Sequence, residues 1–257
     1  MAFDVAGSAY QRFMGRFSER LSAPFADFAG VCAGAGMRVV DVGCGPGVLT
    51  TELVDRLGAD AVVAADPSEP FVAAARSRLP EVDIRAAPAE ALPFADQSFD
   101  AALAQLVVHF MRDPAAGVGE MARVTRPGGV VAVCVWDHAG GRGPLSPFGA
   151  AVAEVDPAAP DESSLTGAAQ GQLEVLLRAG GLGDVQGAEL TVGRDYASFE
   201  DWWEPYTLGV GPAGDHVRTL DAAGRDRLVE ACRSQIPDRP FTLDAVAWAA
   251  RGTVASR

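Results

Sequence analysis

The sequence predicts an α/β fold: a doubly wound, mostly parallel, seven-stranded sheet with helical sequence ahead of it and a helical insertion before the last strand. Three observations carry this expectation. Short apolar runs alternate with helical patterns from residue 37 to residue 136. A glycine-rich turn, "DVGCGPG", follows the first of those runs. The segments between the runs open and close on helix-capping signals. At 257 residues, about half of them apolar, the chain can fill one large α/β core.

Taken in order, residues 8–28 space Tyr10, Phe13, Met14, Phe17, Leu21, Phe25 and Phe28 by threes and fours, an amphipathic helix or helix pair broken at Pro24. A strand over 38–42 leads into a helix at 48–57. A second strand, 61–65, closes on Asp66, and a helix follows at 69–78. Strands at 82–86 and 100–106 come next. Asp113 and Pro114 form an N-cap and first position for a helix over 114–125, and "RPGG" is expected to end it, with Gly128 and Gly129 supplying a left-handed turn. A fifth strand covers 130–136.

The pattern then loosens. Residues 138–168 form a Gly, Pro and Ala-rich loop carrying a helix at 148–154, before a helix at 170–179 and a strand at 185–192. An aromatic stretch, "SFEDWWEPYTLG", a helix at 221–234 and a closing strand at 241–250 complete the chain. No internal repeat divides it.

Composition removes several functions. A net charge of −13 disfavours a nucleic-acid partner, which needs a basic surface. All 21 basic residues are arginine, so no P-loop lysine, Schiff-base lysine or Ser–Lys dyad exists. Cys32, Cys44, Cys134 and Cys232 are scattered, and His109, His138 and His216 form no ligand pair, so no metal site is expected. No run approaches the ~18 apolar residues of a membrane span. The N-terminal "MAFDVAGSAYQRFMGRF" has no signal-peptide apolar region, which reads as a cytoplasmic protein without a membrane partner.

The glycine turn points to a ligand. In an open parallel sheet, ligands sit beyond the carboxyl ends of the strands, where connections diverge. Gly43, Gly45 and Gly47 allow a sharp turn and close backbone approach. A dinucleotide site wants GxGxxG, but Val48 stands at the third glycine and Pro46 removes a backbone donor. That weakens an NAD(P)-dependent oxidoreductase, the alternative enzyme class.

The turn instead resembles motif I of class I S-adenosylmethionine (SAM)-dependent methyltransferases, an acid followed by GxGxG. Asp66, "APAEALPFADQSFD", "HFMRDP" and "EMARVTRPGGVVAV" are similar to the same family, in order, over residues 37–136. The resemblance implies a Rossmann-like domain over 1–257, with an N-terminal helical lid at 1–36, a cofactor core at 37–136 and an acceptor-side insertion at about 195–238. It implies that Asp41 and the backbone of Gly43, Cys44, Gly45 and Gly47 hold the methionine end. Gln105 offers a backbone carbonyl to the same amine, and Asp66 accepts from both ribose hydroxyls. Ala89 N–H meets the adenine, walled by Pro67 and Phe71. Pro88 departs from the aspartate of many relatives, so that either Glu90 substitutes for it or the adenine is held more weakly there. Tyr10 is expected near the sulfonium.

The implied reaction moves a methyl group from SAM to an O, N or C nucleophile of a small, apolar or aromatic metabolite by in-line displacement, leaving S-adenosylhomocysteine. Proximity and orientation supply most of such an acceleration. The chain lacks the [ND]PPY segment of nucleic-acid amino-methyltransferases. His109 is the candidate base where a proton must leave, and it reads equally well as a packing residue. His138 is the second candidate base, and more readily a loop residue. Trp136 and Asp137 are expected at the same edge, and Trp202, Trp203 and Tyr206 form an aromatic patch that is either core or acceptor wall. A non-catalytic SAM-binding protein is the remaining alternative.

Overall fold

Val39–Val42 (β1), Val62–Asp66 (β2), Asp83–Ala86 (β3), Phe99–Gln105 (β4), Thr125–Trp136 (β5), Leu182–Tyr196 (β6) and Phe241–Val254 (β7) make a seven-stranded sheet in the order β3-β2-β1-β4-β5-β7-β6. This computed structural model describes residues 16–157, 159, 162–209 and 211–255. Tyr10, Phe13 and Met14, in the front half of the expected lid, lie outside the described residues. Strands β1 to β5 run parallel, β7 is antiparallel to β5, and β6 is antiparallel to β7. The mostly parallel, helix-covered sheet is the α/β architecture that the alternating pattern predicts.

The strands form because their side chains fill both faces of a covered sheet. All four residues of β1 are buried, so it reads as a continuous apolar run, as central parallel strands do. Val39 faces one core cluster and Val40 the other, the two-residue alternation of a pleated strand. One face is covered by helices Arg16–Phe28 (α1), Val48–Leu57 (α2) and Glu69–Arg78 (α3). Ser146–Val155 (α5) and the later helices Phe199–Trp203 (α7), Gly211–Thr219 (α8) and Ala222–Gln235 (α9) extend that cluster. Pro114–Val124 (α4) and Gln172–Ala179 (α6) cover the other face.

Caps set the helix starts. The Asp113 carboxylate accepts from Ala116 N–H at 3.0 Å, with Pro114 at the first helical position of α4. Asp221 does the same for α9, accepting from Gly224 N–H at 2.7 Å. The stop differs from the sequence expectation: α4 ends at Val124, and "RPGG" lies inside β5. Pro127 disfavours α geometry in the residue before it, in keeping with the extended chain there. Thr125 pairs with Phe99, and Gly128, at φ +75°, lies in the irregular stretch before the regular ladder begins at Ala101–Val130.

Arg56 is one of the side chains that fasten α1, beside Arg251, which donates to Phe28 O at 2.8 Å. Arg56 on α2 is largely buried and donates to Glu52 at 2.7 Å, Asp27 at 2.6 Å, Val31 O at 2.7 Å and Ala23 O at 3.0 Å. Three of those partners, Ala23, Asp27 and Val31, lie in the last two turns of α1 or just past it. Leu21 and Phe25 are fully buried beneath it, each contributing about 1.5–3 kcal/mol of transfer free energy.

Candidate functional site

β1 is flanked by β2 on one side and β4 on the other, so the chain leaves the sheet in diverging directions above its carboxyl end. Such a switch point opens a crevice. Here it is a solvent-open cleft of about 590 Å³. The glycine turn forms its floor. Gly43, Gly45 and Gly47 have φ of +73°, +52° and +88°, a region that other residues rarely enter. Gly43 N–H and Cys44 N–H donate to Ala65 O at 2.7 and 3.0 Å, pinning the turn to β2. A Cβ on Gly43 would run into the side chain of Val107, whereas a Cβ on Gly45 would meet nothing within 4 Å.

Two carboxylates stand at the ends of β1 and β2. Asp66 is 6 % exposed. Its Oδ2 accepts from Gly45 N–H at 2.8 Å and its Oδ1 from Ser68 N–H at 2.8 Å. One carboxylate therefore joins the glycine turn to the start of α3 and still has lone pairs free for a ligand. Burial raises its pKa, and the two backbone donors oppose that rise. Asp41 is 1 % exposed and accepts from the Thr50 hydroxyl at 2.6 Å. Burial pushes its pKa up to about 7, with Asp66 adding to the rise and Thr50 countering it.

The third wall comes from α1 and the end of β4. Gln105 Nε2 donates to Ser18 O at 2.9 Å, while its buried Oε1 has no hydrogen-bond partner among the described residues. A buried acceptor left alone is costly unless a ligand meets it. Leu106 holds φ +61°, unusual for a branched apolar residue, and it borders the cleft with Val107. Phe110, Met111 and Arg112 form the rim.

Of the residues the sequence singles out, Asp41, Gly43, Cys44, Gly45, Asp66, Pro67, Phe71, Ala89, Glu90 and Gln105 all border this cleft. Pro88 borders it too. Glu90 is tethered through Oε1, which accepts from Asp113 N–H at 3.0 Å. Gly47 is absent from the lining: it begins α2 and packs on Ala75 and Leu79. Tyr10 lies outside the described residues. Sequence reasoning missed Ser18, Leu106, Val107 and the Phe110–Arg112 rim, because no residue type announces that a leucine will turn left-handed.

The base role expected for His109 meets a physical obstacle. Burial, with His138 nearby, pulls its pKa down to about 3, too low for a base at neutral pH. It does not border the cleft, and its ring lies 5.8 Å from that of His138. His138 sits 3.2 Å from Glu162 and also lies off the cleft. Trp136 is 2 % exposed and meets Phe17 edge-on at 6.4 Å. Asp137 is held by Arg142 at 2.6 Å. Trp202, Trp203 and Tyr206 pack among Phe148 and Phe199, with Tyr206 stacked on Phe148 at 4.4 Å.

Residues 40–133, which carry the glycine turn, Asp41, Asp66 and Gln105, match the family described as Methyltransferase domain. Over that stretch the chain is similar to methyltransferase domains. An uncharacterised methyltransferase of Mycobacterium tuberculosis (strain ATCC 25618 / H37Rv) is 39 % identical over 137 residues, 53 % of this chain and 52 % of its own. A demethylmenaquinone methyltransferase of Mycobacterium sp. (strain KMS) is 45 % identical over 102 residues, 39 % of this chain and 42 % of its own. This chain thus spans about half the length of the curated relatives it matches. Haemonchus contortus phosphoethanolamine N-methyltransferase 2, in complex with S-adenosyl-L-methionine, shares the fold at a TM-score of 0.59 and 17 % identity. That likeness covers 97 % of this chain and 57 % of the other. The matched stretch supplies most of the cleft, while Ser18 comes from outside it.

Proposed function

We propose that the protein binds SAM in this cleft and transfers its methyl group to an O, N or C nucleophile of a small, flat, mainly apolar acceptor. The observation that carries the reading is the unmatched acceptor set at the glycine turn. Asp41 and the orphaned Gln105 Oε1 suit an ammonium group, and Asp66 has free lone pairs for a pair of hydroxyls. When bound, SAM supplies a methyl carbon already made electrophilic by its sulfonium.

The chain's own task is then positional. Asp66 fixes the glycine turn against α3, so its backbone is set before a ligand arrives. Leu106 and Val107 give an apolar wall that excludes water, and Pro67 and Phe71 give another. All three histidines of the chain lie off the cleft. The nucleophile is therefore expected to arrive with its lone pair free, as an amine, enolate or phenolate does. The apolar rim at Phe110 and Met111 supports a flat acceptor, and relatives named demethylmenaquinone methyltransferases favour a quinone-like ring.

The test is turnover of radiolabelled SAM against a panel of quinols, phenols and amines, beside transfer RNA and a basic peptide. Methylation of the small ring compounds supports the reading. Efficient labelling of the RNA or the peptide, with the small compounds inert, overturns it.

A further inference from the structure

Helix α2 begins without a side-chain cap, because Gly47 stands at its N-cap. Two threonines follow in its first turn, and their hydroxyls go to different places. Thr51 turns its hydroxyl back on Gly47 O at 2.8 Å, four residues earlier, the ordinary bond of a helical threonine. Thr50 reaches out of its own helix. Its hydroxyl crosses to β1 and donates to Asp41 Oδ2 at 2.6 Å. Thr50 is wholly buried and does not border the cleft, whereas Asp41 does. Anything Thr50 does for a ligand, it does through that carboxylate.

The surroundings of Asp41 favour its neutral form. Asp66 from the end of β2, the Cys44 thiol from the glycine turn and the Cys134 thiol from β5 lie around it. Burial keeps both thiols protonated, and none of the three groups is a cation. Burial and Asp66 push Asp41 toward protonation, and the two influences that oppose them are the hydroxyl and the backbone N–H of Thr50. That N–H belongs to the first turn of α2, where helix donors have no partner within the helix. One residue at a helix start thus does for this carboxylate what a neighbouring cation does in an ion pair. A carboxylate accepts at both oxygens, so the hydroxyl on Oδ2 leaves room for a further donor. A protonated Asp41 would keep its contact with Thr50, since a hydroxyl accepts as well as donates, but would lose most of its attraction for an ammonium group.

We propose that Thr50 is a positioning residue for cofactor binding: it fixes Asp41 as a charged acceptor and so selects a ligand that carries an ammonium group at the glycine turn. The inference rests on the SAM reading above and deepens it, by naming the group that sets the charge of the amine site. Thr50 then discriminates between nucleosides with and without an amino-acid end while touching neither.

The experiment titrates the full-length protein calorimetrically, from pH 6 to pH 8, with S-adenosylhomocysteine and with 5′-methylthioadenosine. The second ligand keeps the nucleoside and the sulfur and lacks the amino-acid end. Thr50→Val removes the hydroxyl and leaves the side chain's shape nearly unchanged. It is expected to weaken S-adenosylhomocysteine binding about tenfold at pH 6 and only about twofold at pH 8, as follows when the carboxylate holds its proton about tenfold more tightly. Methylthioadenosine affinity should stay within about twofold of wild type throughout. Thr50→Ser, which restores a hydroxyl, should recover the wild-type profile, and in an Asp41→Asn background Thr50→Val should cost nothing further. No deficit, or one that is the same at every pH, shared by methylthioadenosine or undiminished in the serine variant, overturns the positioning role alone. Wild-type protein that does not bind S-adenosylhomocysteine overturns the reading beneath it. Thr50→Ala makes the same comparison should the valine variant not fold.

Discussion

Asp41 couples the site to pH. Its pKa of about 7, against an ordinary 3.8, means that the folded protein takes up a proton there which the unfolded chain releases. The stability this group contributes is intact below 3.8 and is lost as pH rises through 7. A ligand ammonium reverses the preference, since it favours the ionised carboxylate. S-adenosylhomocysteine affinity should therefore rise with pH between 5.5 and 7, by up to about tenfold per unit, as expected when binding displaces one proton. Asp41→Asn should flatten that slope in titrations across the range, and an unaltered slope would remove Asp41 from the amine site. Both acids were legible in the sequence because each ends an apolar run just before a turn. The left-handed turn at Leu106 was not, since nothing in "AQLVVH" announces a φ of +61°. Nor was the low pKa of His109, which follows from burial that no local pattern in "LVVHFM" reveals.

The glycine turn and α1 each carry a contact that a substitution can test. Gly43→Ala places a methyl against Val107 and forces a residue with a Cβ to φ +73°. The backbone strain alone is worth about 1–3 kcal/mol. Thermal unfolding should show the loss of stability, and S-adenosylhomocysteine binding should weaken along with it. Val107→Ala added to this variant should recover part of the loss, because it relieves the contact and leaves φ unchanged. On α2, Arg56→Ala removes the donors that Ala23 O, Val31 O and the Asp27 carboxylate use, a cost of about 1.5–3 kcal/mol for a bond to a charged group. Amide exchange in residues 20–30 should then accelerate more than exchange in β1. Uniform acceleration would mean that α1 is secured by its apolar face instead. Strands and most helix starts were readable from periodicity and from Asp113 and Pro114. The role of "RPGG" was misread because two glycines after a proline look like a helix stop, yet here they lie inside β5.

At the scale of the whole molecule, the sheet order brings Asp41, Asp66 and Gln105 to one edge from three strands that are separate in sequence. The same order carries the antiparallel β6 and β7 hairpin and its helical insertion over the neighbouring part of that edge. The alternating pattern predicted the parallel half. It said little about the walls, because which aromatic residues of the insertion turn inward depends on packing between distant elements. Calorimetric titration of the wild-type protein and of Asp66→Ala with S-adenosylhomocysteine and with NADH tests the central claim most directly. Saturable S-adenosylhomocysteine binding is expected, weakened more than tenfold by the substitution as charge-assisted bonds of about 1.5–3 kcal/mol each are lost, with no heat from NADH. Binding of NADH, or S-adenosylhomocysteine affinity indifferent to the loss of Asp66, contradicts the account.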